Sequence, residues 1–180
     1  MIFVYTKSFS QDVTIVNDSI ANNYKNINYA IGKKFCDFET VSLNNDTISN
    51  HDLLGKVTMV NLWFEGCAPC IAELGALSKL YYKYKNNSSF QFLSFTVDYF
   101  EVARNAVNTY KIPFTVCPVP RELASIMNFK SGFPTNIIIN KEGIIVFFKS
   151  GGHINIEKVE EDIAQIDEVI AQMLLQIDDK

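Results

Sequence analysis

The chain has 180 residues, 48% of them hydrophobic and 13% aromatic, enough apolar material for one globular domain with a sizeable core and some additional structure. Its net charge of -4 offers no basic field to nucleic acid or to an anionic lipid surface. No stretch reaches the ~18 consecutive apolar residues of a membrane span, and Met1–Lys7 lacks the charged start and long apolar core of a signal peptide, so membrane attachment is expected to need a segment absent from this sequence.

In chain order, residues 1–33 read as an extension with little periodicity, in which Asp12–Val16 is strand-like and Ser19–Tyr24 helix-like. The main domain is expected over residues 34–180. Phe38–Leu43 alternates, Asn44–Asp46 is a turn, and Thr47–Ile48 returns as a hairpin partner. Ser49 or Asn50 caps a short helix through Leu54, stopped by Gly55. Val57–Phe64 is almost continuously apolar, as a strand covered on both faces is. The helix that follows carries Ile71, Leu74, Leu77, Tyr81 and Tyr84 on one predicted stripe and ends at the polar run Asn86–Ser89.

Phe90–Val97 is the next buried strand, Glu101–Tyr110 a helix, Pro113–Val119 a strand and Arg121–Asn128 a short helix. Strands alternating with helices predict an α/β domain with a mostly parallel central sheet. Pro134–Asn140 and Ile144–Lys149, joined by the turn Lys141-Glu142-Gly143, read as an antiparallel hairpin at the sheet's edge, which makes the sheet mixed. A long closing helix from Ile154 to about Ile177 repeats apolar residues at Ile156, Val159, Ile163, Ile166, Ile170, Met173 and Ile177. That stripe packs on the domain's own sheet or, at its far end, makes a homodimer contact.

The chemistry concentrates at Cys67-Ala68-Pro69-Cys70, where the apolar strand hands over to the helix. A helix N-terminus carries partial positive charge and unpaired N–H groups, which favour a thiolate on the first cysteine. Pro69 fits the first turn, where its missing N–H costs nothing. Two intervening residues let the thiols close a disulfide. Cys67 is thus the expected exposed nucleophile and Cys70 the partner that resolves a mixed disulfide. Cys36 and Cys117 lie in apolar, strand-like surroundings and read as small buried side chains.

The order Asn61-Leu62-Trp63, Cys67-Ala68-Pro69-Cys70 and Gly132-Phe133-Pro134-Thr135 resembles the TlpA/ResA-like branch of the thioredoxin superfamily, over about Phe35 to Ile156. The resemblance extends to Gly32–Leu43 as an opening strand, to the Gly55-Lys56-Val57 step before the central strand and to the Lys141-Glu142-Gly143 turn. It implies a thioredoxin-like fold with a central mixed sheet flanked by helices, thiol-disulfide exchange on protein substrates, no dissociable cofactor, an upstream electron donor, and work outside the cytoplasm such as cytochrome maturation. It also implies that Pro134 is a cis-proline shaping the substrate groove, since an X-Pro bond tolerates the cis form. Trp63, Gly66 and Phe133 are the other expected groove residues.

Thioredoxins proper carry a buried aspartate at the position of Asn61, and an asparagine cannot accept the proton that Cys70 must lose. Glu73, one helical turn from Cys70 and matching a glutamate of this branch, is the first candidate for that role, and Glu65 the second. The branch commonly has tryptophan immediately before the first cysteine. Gly66 stands there instead, which predicts a more open Cys67. The Ala68-Pro69 pair adds no cation to stabilise the Cys67 thiolate, so a reducing protein is expected.

Three other readings use the same residues. A zinc site would need Cys36 and Cys117 beside the motif, although structural sites often supply ligands as close pairs. A copper-handling chaperone would want imidazoles, and the 2 histidines, His51 and His153, lie outside the motif in expected loops. A peroxidase reading rests on Phe114-Thr115-Val116-Cys117-Pro118, which resembles a peroxiredoxin loop but has one residue too few between threonine and cysteine.

Overall fold

The computed structural model describes residues 29–178. The expected strand Asp12–Val16 and helix Ser19–Tyr24 lie outside them. Strands β1 (Glu39–Val41) and β2 (Thr47–Ser49) form the predicted small hairpin. A 3-10 turn over Asn50–Leu53 follows, capped by the Ser49 side chain with Asp52 closing the box. The central sheet then takes β3 (Val57–Trp63), β4 (Phe90–Thr96), β5 (Thr115–Pro118), β6 (Thr135–Ile139) and β7 (Ile145–Ser150), in the order β5-β4-β3-β6-β7.

β3, β4 and β5 run parallel, β4 and β5 each reached through a helical crossover, while β6 pairs antiparallel with β3 and with β7. The hairpin β6–β7 lies at one edge of the sheet, as expected, and joins it by pairing β6 with β3. Within the hairpin β6 is an interior strand and β7 the edge strand, with β5 forming the opposite edge of the sheet. Backbone bonds from Gly32, Lys33 and Phe35 to Ile145 and Gly143 then cover the outer side of β7.

The period-2 alternation of the strands divides the core into two layers. Met59 and Trp63 of β3, Phe92 of β4, Ile138 of β6 and Phe147 of β7 face one side. That side is covered by α1 (Ala68–Tyr84), α2 (Phe100–Tyr110) and the long α4 (Ile156–Asp178). Val60, Leu62, Leu93, Phe95, Ile137 and Ile139 face the other side, closed by α3 (Arg121–Met127) and by Phe35 and Phe38. Strands buried on both faces explain the near-continuous apolar runs at residues 57–63 and 90–96.

Two expected stripes shift in the folded chain. On α1 the buried positions are Cys70, Glu73, Leu74, Ala76, Leu77 and Leu80, while Ile71, Tyr81 and Tyr84 are only partly covered. On α4 the stripe from Val159 through Ile163, Ile166, Ile170 and Met173 packs into the domain's own core together with Val169 and Leu174, but Ile156 is exposed. Among the described residues, no helix is long and apolar enough to cross a membrane.

Candidate active site

β3 delivers the chain to the front of the sheet, and a short turn bonded from the Cys67 N–H to the Phe64 carbonyl starts α1. Cys67 is the N-cap of that helix, and its sulfur accepts the Cys70 backbone N–H at 3.3 Å. Pro69 sits in the first turn, as predicted. The two cysteines are joined as a disulfide. The turn is braced from the neighbouring strand: Asp98 Oδ2, itself bonded by Thr96 Oγ1, accepts the Glu65 backbone N–H at 2.7 Å.

Cys67 is 7% exposed and Cys70 is fully buried, so Cys67 is the sulfur nearer to solvent. The expected openness of Cys67 is corrected by the ring of Phe64. Gly66 supplies no side chain, and a Cβ there would lie 3.4 Å from Phe64 Cε2. The Phe64 ring occupies this space and packs edge-on against Phe133 at 5.5 Å between centroids. Aromatic cover is present, taken from two residues upstream.

The peptide bond between Phe133 and Pro134 is cis. Gly152 closes over this proline: a Cβ at Gly152 would fall 2.7 Å from Pro134 Cγ and 3.4 Å from Pro69 Cβ. The Gly151 N–H also donates to the Pro134 carbonyl at 2.8 Å. Pro69, Pro134 and Gly152 thus meet beside the cysteine pair, and Gly66 and Phe133 stand near the same surface. Trp63 does not. It is completely buried, in the same core cluster as Cys67, Cys70 and Leu74, and so presents no surface to a groove.

Glu73 is 5% exposed, one turn beyond Cys70 on the inner face of α1. Its Oε1 accepts Asn61 Nδ2 at 2.8 Å and its Oε2 accepts Asn136 Nδ2 at 3.1 Å. Asn61 Nδ2 also donates to Asn136 Oδ1 at 2.9 Å. Burial is the main influence on this carboxyl and lifts its pKa from 4.5 to about 7, against the smaller opposing effect of the two asparagine donors. A carboxyl poised there can take or give a proton near neutrality. Glu65, the second candidate, is exposed on the turn and has no comparable setting.

Asn136 and its neighbour Lys149 escaped the reading of the sequence. The signal was present: each is a polar residue inside a strongly apolar strand, Thr135–Ile139 and Ile145–Ser150. Cys117 is buried within β5, and burial pushes its thiol up to about 12, which removes the thiolate a peroxidatic cysteine needs. Cys36 is half-buried rather than buried, and burial with the nearby Asp37 lifts its thiol to about 11. His51 lies in the 3-10 turn, and His153 faces Asp162 of α4 with its Nε2 3.9 Å from Asp162 Oδ2. Among the described residues no group of three or more His, Cys, Asp and Glu side chains is placed to hold a metal ion.

A family model described as the AhpC/TSA family matches residues 31–148. The thiol-disulfide oxidoreductase ResA of Bacillus cereus is 31% identical over 118 residues, which is 64% of this chain and 67% of that protein. A thiol:disulfide interchange protein of the thioredoxin family from Chlorobium tepidum superposes with a TM-score of 0.65 at 20% identity, covering 81% of this chain and 98% of that one. A secreted disulfide oxidoreductase from Mycobacterium tuberculosis gives a TM-score of 0.59 at 16% identity, over 71% of this chain and 94% of that one. These two likenesses establish the thioredoxin-like fold. Because the family match runs from residue 31 to residue 148, taking in the cysteine pair and reaching into the last strand, the chain belongs to the AhpC/TSA family and its activity is that of a ResA-like thiol-disulfide oxidoreductase.

Proposed function

We propose that the chain reduces disulfides in protein substrates outside the cytoplasm, with Cys67 attacking, Cys70 resolving and Glu73 accepting the Cys70 proton. The observation that carries this reading is the burial of Glu73 one turn from Cys70, hydrogen-bonded to the asparagine that replaces a thioredoxin's aspartate. In the reduced chain the Cys67 thiolate attacks one sulfur of the substrate disulfide. A Cys67–substrate disulfide forms and the first substrate thiolate leaves. Glu73 then takes the proton from Cys70, whose thiolate attacks Cys67 Sγ and expels the second substrate thiolate. Two electrons pass to the substrate, and the chain is left with the Cys67–Cys70 disulfide. An upstream dithiol donor restores the reduced state.

Direction follows from how little holds the Cys67 thiolate. Ala68 and Pro69 bring no cation, and the contact to its sulfur is the Cys70 N–H. A modestly stabilised thiolate makes a reducing pair. Pro134, Gly66 and Phe133 form the surface on which a substrate strand docks. Work outside the cytoplasm, with cytochrome maturation as the process, follows from the TlpA/ResA-like motif order of the sequence.

Equilibration in thiol buffers, with free thiols counted by mass spectrometry, tests direction: a potential below about -230 mV is expected, and one above about -180 mV would make the chain an oxidant. For the roles, Cys70→Ser should trap substrate on Cys67, and Cys67→Ser should trap none. Glu73→Gln should slow loss of the mixed disulfide about 100-fold. An unchanged rate would remove Glu73 from the proton transfer.

A further inference from the structure

On the sheet face covered by α1 and α4, four polar side chains stand in register across four strands. Ser94 of β4 is opposite Asn61 of β3, Asn61 is opposite Asn136 of β6, and Asn136 is opposite Lys149 of β7. Residues directly opposite one another share a face of the sheet, and all four are buried. Two acids close on this row from the helices above: Glu73 of α1 on the two asparagines, and Asp162 of α4 in an ion pair with Lys149. At the solvent end, His153 Nε2 lies 3.9 Å from Asp162 Oδ2.

A buried ion pair is a poor stabilising device, because desolvation offsets much of its attraction and apolar residues of similar size often do better. Its place at the end of a polar row that runs under the redox pair gives it a different use. We propose that the Lys149–Asp162 pair is a positioning unit for the exchange reaction, its opposed charges tuning Glu73 as the proton acceptor of Cys70. The proposal rests on the reading of Glu73 given above.

The inventory around Glu73 is short. Its own helix start presents Cys67 and Cys70, β7 presents Lys149, and α4 presents Asp162. The nearest side chains of β3, β4 and β6 are the neutral Asn61, Ser94 and Asn136. α2 directs Arg104 elsewhere, to the Leu43 carbonyl at 2.6 Å. Among the described residues, Lys149 and Asp162 are thus the two fixed charges acting on Glu73, and they act in opposite senses, the cation favouring the carboxylate and the anion the acid. Removing one must move Glu73 one way, and removing the other must move it back.

Opposite shifts separate tuning from structural damage, which is the same for both members of a broken pair. The measurement is the pH dependence of the resolving step in the full chain. Reduced protein is mixed with an aryl disulfide, and release of the second aryl thiolate reports attack of Cys70 on Cys67. Comparison of wild type with Glu73→Gln first establishes the inflection due to Glu73. Lys149→Met should then raise its midpoint by about one pH unit and Asp162→Asn lower it by about as much. The double variant should return close to wild type, and Lys149→Arg, which keeps the charge, should not move it.

His153 is exposed enough to be altered without disturbing the core, so it serves if a pair variant does not fold. His153→Glu, which crowds Asp162 with a second anion, should raise the midpoint, and His153→Lys should lower it. A midpoint unmoved by these changes, or moved in one direction by both members of a pair, overturns the proposal while leaving Glu73 as the base. A wild-type profile indistinguishable from Glu73→Gln overturns the base as well.

Discussion

In the disulfide form, Glu73 keeps its proton up to a pKa of about 7, whereas in the unfolded chain it titrates near its ordinary 4.5. Between those values the folded state binds a proton that the unfolded state has released. Stability due to this group is therefore complete below about 4.5 and is lost as pH rises through about 7, a change on the order of 3 kcal/mol. Denaturant unfolding of the oxidised chain from pH 4.5 to 8 should show that loss in wild type and not in Glu73→Gln. Equal slopes in the two proteins would mean that Glu73 titrates as an exposed carboxyl does. Cys67, Cys70 and Glu73 were legible in the sequence because their contacts are local, three residues apart on one helix start. Asn136, Lys149 and Asp162 were not, because what joins them is strand register and the landing place of α4, which lie 63 to 89 positions downstream of Glu73.

At the level of elements, the strand and helix succession of residues 38–178 was readable because each buried strand is an apolar run with turn residues at its ends. The faces were harder. Period alone put Tyr81 and Tyr84 on the inner stripe of α1, but the inward turn of Cys70 and Glu73 rotates the buried face toward Leu77 and Leu80. Tyr84 ends at the rim, where its hydroxyl donates to Asp167 Oδ1 at 2.6 Å beside the Lys83–Asp167 ion pair. That half-exposed pair should matter little, and Lys83→Ala is expected to change stability by about 0–1 kcal/mol. The loop over Pro134 is the reverse case. Gly152→Val has no room against Pro134 Cγ, 2.7 Å from the position of its Cβ, and overpacking of this kind costs about 1–3 kcal/mol. Because the displaced loop borders the proposed docking surface, the variant should also slow reduction of a protein disulfide more than that of a small aryl disulfide. Equal slowing of the two would place the loop outside the docking surface.

For the whole molecule, the long α4 closes the α1 side of the sheet, and its apolar seam from Val159 to Leu174 is consumed there, while the Ile177 side chain lies outside those described and Leu175, at 66% exposure, is an exposed apolar side chain near the far end. The homodimer reading of the seam loses most of its surface to the chain's own core. Sedimentation equilibrium should therefore return a mass near 20.4 kDa. A dimer that Leu175→Glu dissolves would instead put the helix end in an interface. The two-layer core also explains why fold class was legible while the sheet's internal order was not. Alternating strands and helices announce layers, whereas the docking of the β6–β7 hairpin on β3 depends on contacts between residues 58–62 and 135–139, which no local pattern encodes.

The lone tryptophan of the chain, Trp63, lies fully buried in the same cluster as both cysteines. An indole in such a setting emits at short wavelength, and a neighbouring disulfide quenches it by accepting an electron from the excited ring. Reduction of Cys67–Cys70 should therefore brighten the emission without moving it toward the red. The molecule thus carries its own optical gauge of oxidation state, one that reads each turnover without a label.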